Sequence, residues 1–159
     1  MPSTGPKGAA EIGSRNEMET VVVAAGLMVQ RGRVLLTQRR EEDEQGLLWE
    51  FPGGKVEEGE DPRQTLEREI KEELGMEVAA GELFDATYHF YPNRPILLLV
   101  YRCRILKGLP RPLVCRDLRW AGPEEMRGLA MPAADEPVRK HLLSCGERTF
   151  GDGSGLNPG

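Results

Sequence analysis

The stretch GGKVEEGEDPRQTLEREIKEELG, from Gly53 to Gly75, constrains this chain more than any other segment. It encodes a helix with a marked start and a marked stop. Asp61 is a favoured N-cap, Pro62 suits the first helical position, and Gln64, three residues after Asp61, predicts a capping box. Gly75 stands where a helix-ending glycine is expected. Leu66, Ile70 and Leu74 recur at i, i+4 and i+8, which gives the helix one buried stripe.

The same stretch crowds acids. Glu57, Glu58, Glu60, Asp61, Glu67, Glu69, Glu72 and Glu73 have only Arg63, Arg68 and Lys71 among them. Over Glu57–Glu73 the excess of five acids equals the whole formal charge of −5, so the acids and bases outside that span balance. Like charges at helical spacing repel. At about 100° per residue, Glu69, Glu72 and Glu73 share an arc of roughly 100° beside the apolar stripe. One reading is a solvated acidic face. Two features favour another. The cluster flanks a buried stripe, where unneutralised charge is expensive, and it follows Gly53-Gly54, where backbone carbonyls can approach a ligand closely. Oxygen-only donors around a small site suit a hard divalent cation, Mg²⁺ or Mn²⁺. A locally acidic site also argues against a general nucleic-acid-binding surface.

The rest of the chain sets limits. Its 159 residues, 39% hydrophobic and 30% charged, fit one globular domain with its own core. The longest apolar run, Val21–Val29, is too short to cross a bilayer, and the N-terminus lacks an apolar signal core. Cys103, Cys115 and Cys145 form no CxxC pair; they read as small buried or half-exposed residues, reduced in a cytoplasm. The four serines lie at the ends, and His89 and His141 form no ligand pair, so neither a serine hydrolase nor a histidine-rich zinc site fits.

Composition divides the chain into a Gly/Ser/Pro-rich leader over 1–17, one domain over 18–145 and a polar tail over 146–159. Within the domain, TVVVAAGLMV, RVLLTQR, LLWEFPGGK and DLRWAG read as strands, with a turn at Arg31-Gly32. Two long strands flank PNRP as a hairpin, GPEEMRGL starts a short helix, and AADEPVRKHLLSC reads as a second long helix. The pattern predicts an α/β (α+β) fold, a mixed sheet with helices on its faces.

Gly54, Glu60, Arg68-Glu69-Ile70, Glu72-Glu73 and Gly75-Met76 match every fixed position of the Nudix box. With LLTQRR, WEFPGGKVE, RWAGPEEM and MPAADEPV, the chain resembles the MutT branch of the Nudix hydrolases from about Glu19 to Leu143. The resemblance implies that a mixed sheet is sandwiched between helices. It implies hydrolysis of a nucleoside triphosphate at the β-phosphorus, releasing a nucleoside monophosphate and pyrophosphate. By similarity, Glu69, Glu72, Glu73 and the Gly53 carbonyl hold Mg²⁺, with Mn²⁺ possible. Glu60 and Arg68 brace the loop against the helix, and Arg39 contacts phosphate. The partner implied is a small nucleotide, with no nucleic-acid polymer and no membrane; monomer and homodimer both remain open.

At the base end, similarity points to Asp135 in PAADEP and Arg94 in YPNRP. The 8-oxo-dGTP enzymes usually carry Asn at the first position. An amide donates and accepts, whereas an ionised carboxylate only accepts. Asp135 is equally readable as the N-cap of the last helix, and Arg94 as a solvated turn residue. Trp49 and Phe51 could line a base pocket or belong to the core. One departure stands out: six residues before Trp120, where relatives often place a further metal-binding or base Glu, the chain has Val114, and Asp117 is the nearest acid. Oxidised purine triphosphates such as 8-oxo-dGTP are the leading expectation, CTP-like pyrimidines the second. A non-catalytic nucleotide sensor is the reading from another class.

Overall fold

The computed structural model describes residues 19–146. The leader expected over 1–17, and the expected tail past Gly146, lie outside the described residues. The order is β1 (Val21–Leu27), β2 (Val29–Gln30), β3 (Arg33–Gln38), β4 (Trp49–Glu50), β5 (Gly53–Lys55), α1 (Pro62–Leu74), β6 (Glu77–Tyr91), β7 (Arg94–Lys107), β8 (Asp117–Ala121), α2 (Pro123–Gly128) and α3 (Glu136–Cys145).

The strands divide into two sheets rather than one. The first is mixed, in the order β5-β1-β7-β6. β1 runs parallel to β7, from Val21 opposite Ile96 to Leu27 opposite Arg102, and antiparallel to β5. β6 and β7 form the expected hairpin, Tyr91 facing Arg94 at its closed end, with register shifts between Ala80 and Asp85. In the second sheet β3 pairs antiparallel with β2, β4 and β8.

Successive residues of β1 and β3 serve two cores. Ala24 and Leu35 pack with Met28, Tyr101 and the α1 stripe Leu66, Ile70 and Leu74. Ala25, Val34 and Leu36 pack with Val100, Met126 of α2, and Val138 and Leu142 of α3. Strands buried on both faces need apolar residues at every position, which is why β1 reads as a continuous apolar run. The helices therefore lie on opposite sides of the strands, α1 on one and α2 with α3 on the other.

Helix α1 starts and stops where the sequence predicts. Asp61 accepts from the Arg63 N–H at 2.8 Å, and the Gly75 N–H returns to the Lys71 carbonyl. The reciprocal bond expected of Gln64 is not found among the described residues. Glu60, just before the cap, instead ties the preceding loop to the helix, accepting from the Glu57 N–H at 3.0 Å and the buried Thr65 hydroxyl at 2.8 Å.

Candidate active site

Four segments meet beside the N-terminal half of β1, whose Val21 and Val23 line the site. The β4–β5 strap brings Glu50, Phe51 and Gly53, and α1 brings the acidic arc. The β6–β7 turn brings Arg94, and the turn before α3 brings Asp135. They enclose two adjoining spaces. A cavity of about 640 Å³ is lined by Phe51, Lys55, Tyr91, Arg94 and Asp135, among others. A cleft of about 210 Å³ is lined by Gln38, Arg40, Gly53, Glu73 and Val114, among others. Arg39 and Glu50 line both and form the shared wall.

The box residues are held from β5 and α1. Arg68 reaches Glu60 at 3.1 Å, Glu69 at 3.1 Å and Glu72 at 3.4 Å, so one guanidinium ties the loop to the helix and spreads over three acids. The Glu57 N–H, then the Thr65 hydroxyl and Arg68, hold the Glu60 carboxyl below its usual range. Glu69 is sheltered, its side chain 18% exposed, whereas Glu72 is 59% exposed. The Glu73 carboxyl is pushed up to about 8, first by burial, then by its hydrogen bond with Glu69 and by the charges of Glu69, Glu50 and Glu72.

Among the described residues, no three His, Cys, Asp or Glu side chains converge into a ready-made metal cluster. The physical reason lies in the same contacts. Bare carboxylates repel, so Glu60, Glu69 and Glu72 settle on Arg68, and Glu73 meets Glu69 through a hydrogen bond. The donor set nevertheless fits a divalent cation. It is all oxygen, it sits at the helix edge beside the buried stripe, and the burial and neighbouring acids that raise the Glu73 carboxyl are what a bound cation would offset. Glu69, Glu72, Glu73 and the Gly53 carbonyl are the residues that would hold the ion.

The two glycines before the loop are required for different reasons. A Cβ on Gly53 would collide with the Ala24 carbonyl of the neighbouring strand. A Cβ on Gly54 would lie 2.5 Å from the Glu69 carboxyl carbon. The Gly-Gly pair thus serves strand pairing and carboxylate placement. Gly54→Ala should leave the urea midpoint close to wild type but displace Glu69. A misplacement of ~1 Å can cost about a hundredfold in rate, so kcat should fall at least roughly tenfold. A variant with unchanged kcat would show that Glu69 need not sit where it does.

At the base end, the cap reading of Asp135 is not realised. It stands at the N-cap position of α3, but its backbone is helical (φ −85°, ψ −19°) and its side chain makes no capping bond. The carboxyl instead accepts from the Phe51 N–H at 3.3 Å and lines the cavity, only 6% exposed. Burial, then the nearby Glu50 charge, pushes it up to about 8. At neutral pH it is therefore a neutral acid, which can both donate and accept. Burial also raises the Glu50 carboxyl, against the pull of Arg39.

The sign of the resulting pH dependence follows. Between about pH 4 and pH 8 an unfolded chain has released the Asp135 proton while the folded chain keeps it, so folding becomes less favourable as pH rises. Urea unfolding is expected to show lower stability at pH 8 than at pH 5, and Asp135→Asn should flatten that slope. Equal slopes in the two proteins would contradict the buried neutral acid.

All four expected substrate residues, Arg39, Arg94, Phe51 and Asp135, line the larger cavity. Arg39 is engaged: its Nη1 donates to Glu50 at 2.9 Å and its Nε to the Glu44 carbonyl at 2.7 Å. Phe51 belongs to the core as well. Trp49 is core only, with the Arg119 guanidinium 4.7 Å above its ring. Val114 lines the cleft, so the position that often carries a Glu does face the box but offers no carboxylate. Asp117 does not replace it; it opens β8 and accepts from the Leu118 N–H. Glu50, Lys55 and Tyr91 were not singled out by sequence. The nearest signal was their position: Glu50 and Lys55 bracket the FPGG strap, and Tyr91 ends the strand before PNRP.

The NUDIX domain family profile matches residues 23–141. The chain is 36% identical over 127 residues to the CTP pyrophosphohydrolase of Escherichia coli (strain K12), covering 80% of this chain and 94% of that protein. It is 38% identical over 129 residues to the 8-oxo-dGTP diphosphatase of Haemophilus influenzae, covering 80% and 95%. The solution structure of the E. coli ORF135 protein superposes with a TM-score of 0.72 at 33% identity, over 81% of this chain and 92% of that one. The MutT protein from Methanosarcina mazei Go1 shares the fold, with a TM-score of 0.71 at 20% identity, over 83% and 96%. The chain belongs to the Nudix hydrolase family, in its MutT-like branch.

Proposed function

We propose that this protein is a divalent-metal-dependent pyrophosphohydrolase of modified nucleoside triphosphates, with 8-oxo-dGTP its foremost substrate. The observation that carries the reading is the adjacency of the two spaces. A cavity lined by Phe51 and Asp135 shares Arg39 and Glu50 with a cleft that reaches Gly53 and Glu73. A nucleotide laid through both would put its base on Phe51 and Asp135 and its phosphates beside Arg39, Arg40 and the box. A bound Mg²⁺ would neutralise phosphate oxygens and lower the pKa of a water molecule there. The chain's own residues orient the substrate: Arg39 and Arg40 as phosphate donors, Lys55 and Arg94 at the cavity rim. Glu73 is the box acid lining the cleft, where it would serve as a metal ligand; with Val114 offering no carboxylate, the general base falls to another box Glu. Hydrolysis at the β-phosphorus would leave a nucleoside monophosphate and pyrophosphate.

A second reading, CTP or a modified cytosine nucleotide, is favoured by the carboxyl at position 135, since an acid can accept from the cytosine amine. A monomer or homodimer handling free nucleotides in the cytoplasm fits the three unpaired cysteines and the absence of any membrane-spanning helix among the described residues. The test is pyrophosphate release over oxidised and ordinary purine and pyrimidine triphosphates, with Mg²⁺ and with Mn²⁺. The proposal expects 8-oxo-dGTP to give the highest kcat/KM. A higher value for CTP or dCTP would move the assignment to the second reading, and no release from any triphosphate would overturn both.

A further inference from the structure

The Asp135 carboxyl faces the cavity although its position invites another use. An Asp at the first residue of a helix ordinarily accepts from the amides of the first turn, because those N–H groups have no partner within the helix. Here it does not. Its neighbour in the chain explains why. The Ala134 N–H donates to the Tyr91 hydroxyl at 2.9 Å, and the Ala134 carbonyl accepts from the Thr87 hydroxyl at 2.8 Å. Both bonds span more than forty residues and come from one strand. Residues 87 and 91 of β6 are four apart, so they project from the same face. Together they fix the two peptide planes on either side of Ala134, the second of which leads directly into Asp135. Further along the same strand, Asp85 pairs with His141 of α3 at 2.9 Å, so β6 also holds the helix itself.

We propose that Thr87 and Tyr91 are positioning residues that clamp the turn before α3 and keep Asp135 on the cavity instead of on the helix amides. The turn has its own hydrogen bonds, from the Asp135 N–H to Pro132 at 3.0 Å and from the Glu136 N–H to Ala133 at 3.3 Å. These close the turn but leave it free to tilt. The two side-chain bonds set the tilt, and with it the direction of the Asp135 Cα–Cβ bond. Neither hydroxyl is part of the reaction; each acts through Asp135.

The clamp is tested by Thr87→Val, which keeps the branched shape and removes the donor, by Tyr91→Phe, which removes only the acceptor, and by their combination, with Thr87→Ser as the conservative control. Two readouts are used on the full chain. The first is a carbon-13 titration of the Asp135 carboxyl. It is expected near 8 in the wild type and, in the double variant, near the ordinary value of about 4 as the group turns to the exposed helix start. The second is the ratio of kcat/KM for 8-oxo-dGTP to that for dTTP. It should fall by about tenfold through KM, with kcat at saturation nearly unchanged and Thr87→Ser close to wild type. This kinetic arm rests on the proposed base-reading role of Asp135; the titration does not. A titration that falls while the ratio holds supports the clamp and removes the base reading. A titration that stays near 8 in the double variant overturns the clamp.

Discussion

Replacing Glu73 by glutamine is expected to lower kcat by more than a hundredfold while leaving the protein folded. Loss of an outer partner of a metal ligand costs roughly 10- to 100-fold, and a direct ligand should cost more. Glu73 combines three observations. It lies on the acidic arc of α1, it is the box acid that lines the cleft, and its carboxyl is raised to about 8 by burial and by neighbouring acids. Glutamine is nearly the same size and removes the charge, so packing against the Leu66, Ile70 and Leu74 stripe should survive. Glu72→Gln should behave similarly in kcat. Its exposed side chain touches only Arg68, so stability should change by a few tenths of a kcal/mol at most. The melting temperature of the wild type should rise with added Mg²⁺, because a ligand that binds only the folded state stabilises it. The rise should shrink in both variants. Near-normal turnover of either variant at saturating Mg²⁺ would remove it from the site.

The second large effect concerns Asp135. Asp135→Ala should leave polar groups of the bound base unpaired in a cavity from which water is partly excluded. Such a loss costs about 1–3 kcal/mol, or roughly ten- to a hundredfold in kcat/KM. It should fall on the preferred nucleotide and spare poor ones, so discrimination collapses. The side chain caps nothing, so the roughly 1 kcal/mol loss of stability typical of a removed cap should be absent. Asp135→Asn separates the protonation states. The neutral acid of the wild type donates and accepts as an amide does, so the Asn variant should keep the ranking of substrates near pH 7. Above about pH 8 the wild-type carboxyl ionises and can only accept, and its preference for 8-oxo-dGTP should fade. The Asn variant should keep that preference. An unchanged ranking in both variants at every pH would leave the cavity walls as the source of specificity.

What the sequence revealed, and what it withheld, follows the range of the forces involved. Helix α1 was legible almost to the residue, because its cap, its proline, its stripe and its terminal glycine are local signals. The hairpin around PNRP was legible for the same reason. The division of the strands into two sheets was not. The parallel pairing of β1 with β7 and the pairing of β3 with β8 join segments about eighty residues apart, and short apolar strands carry no mark of their partners. The box appeared as a pattern of spacing, but the way Arg68 spreads over three acids depends on how the loop folds back on the helix. Asp135 shows the limit most clearly. Local preference makes it a cap, and partners more than forty residues away, the Phe51 N–H on its carboxyl and Thr87 and Tyr91 on the preceding residue, hold it to the cavity. Glu50 was missed because a strand residue beside a tryptophan reads as structure. Its pairing with Arg39 across the wall of both spaces depends on how β3 and β4 meet.

The account stands on one chemical claim, that the box directs water to the inner phosphorus of a nucleoside triphosphate. Hydrolysis of 8-oxo-dGTP in ¹⁸O-labelled water, followed by phosphorus NMR and mass analysis of the products, tests it most directly. The account predicts a reaction dependent on a divalent cation, yielding the monophosphate and pyrophosphate in equal amounts with the label in pyrophosphate. Release of the diphosphate and orthophosphate, or label confined to the monophosphate, would contradict it.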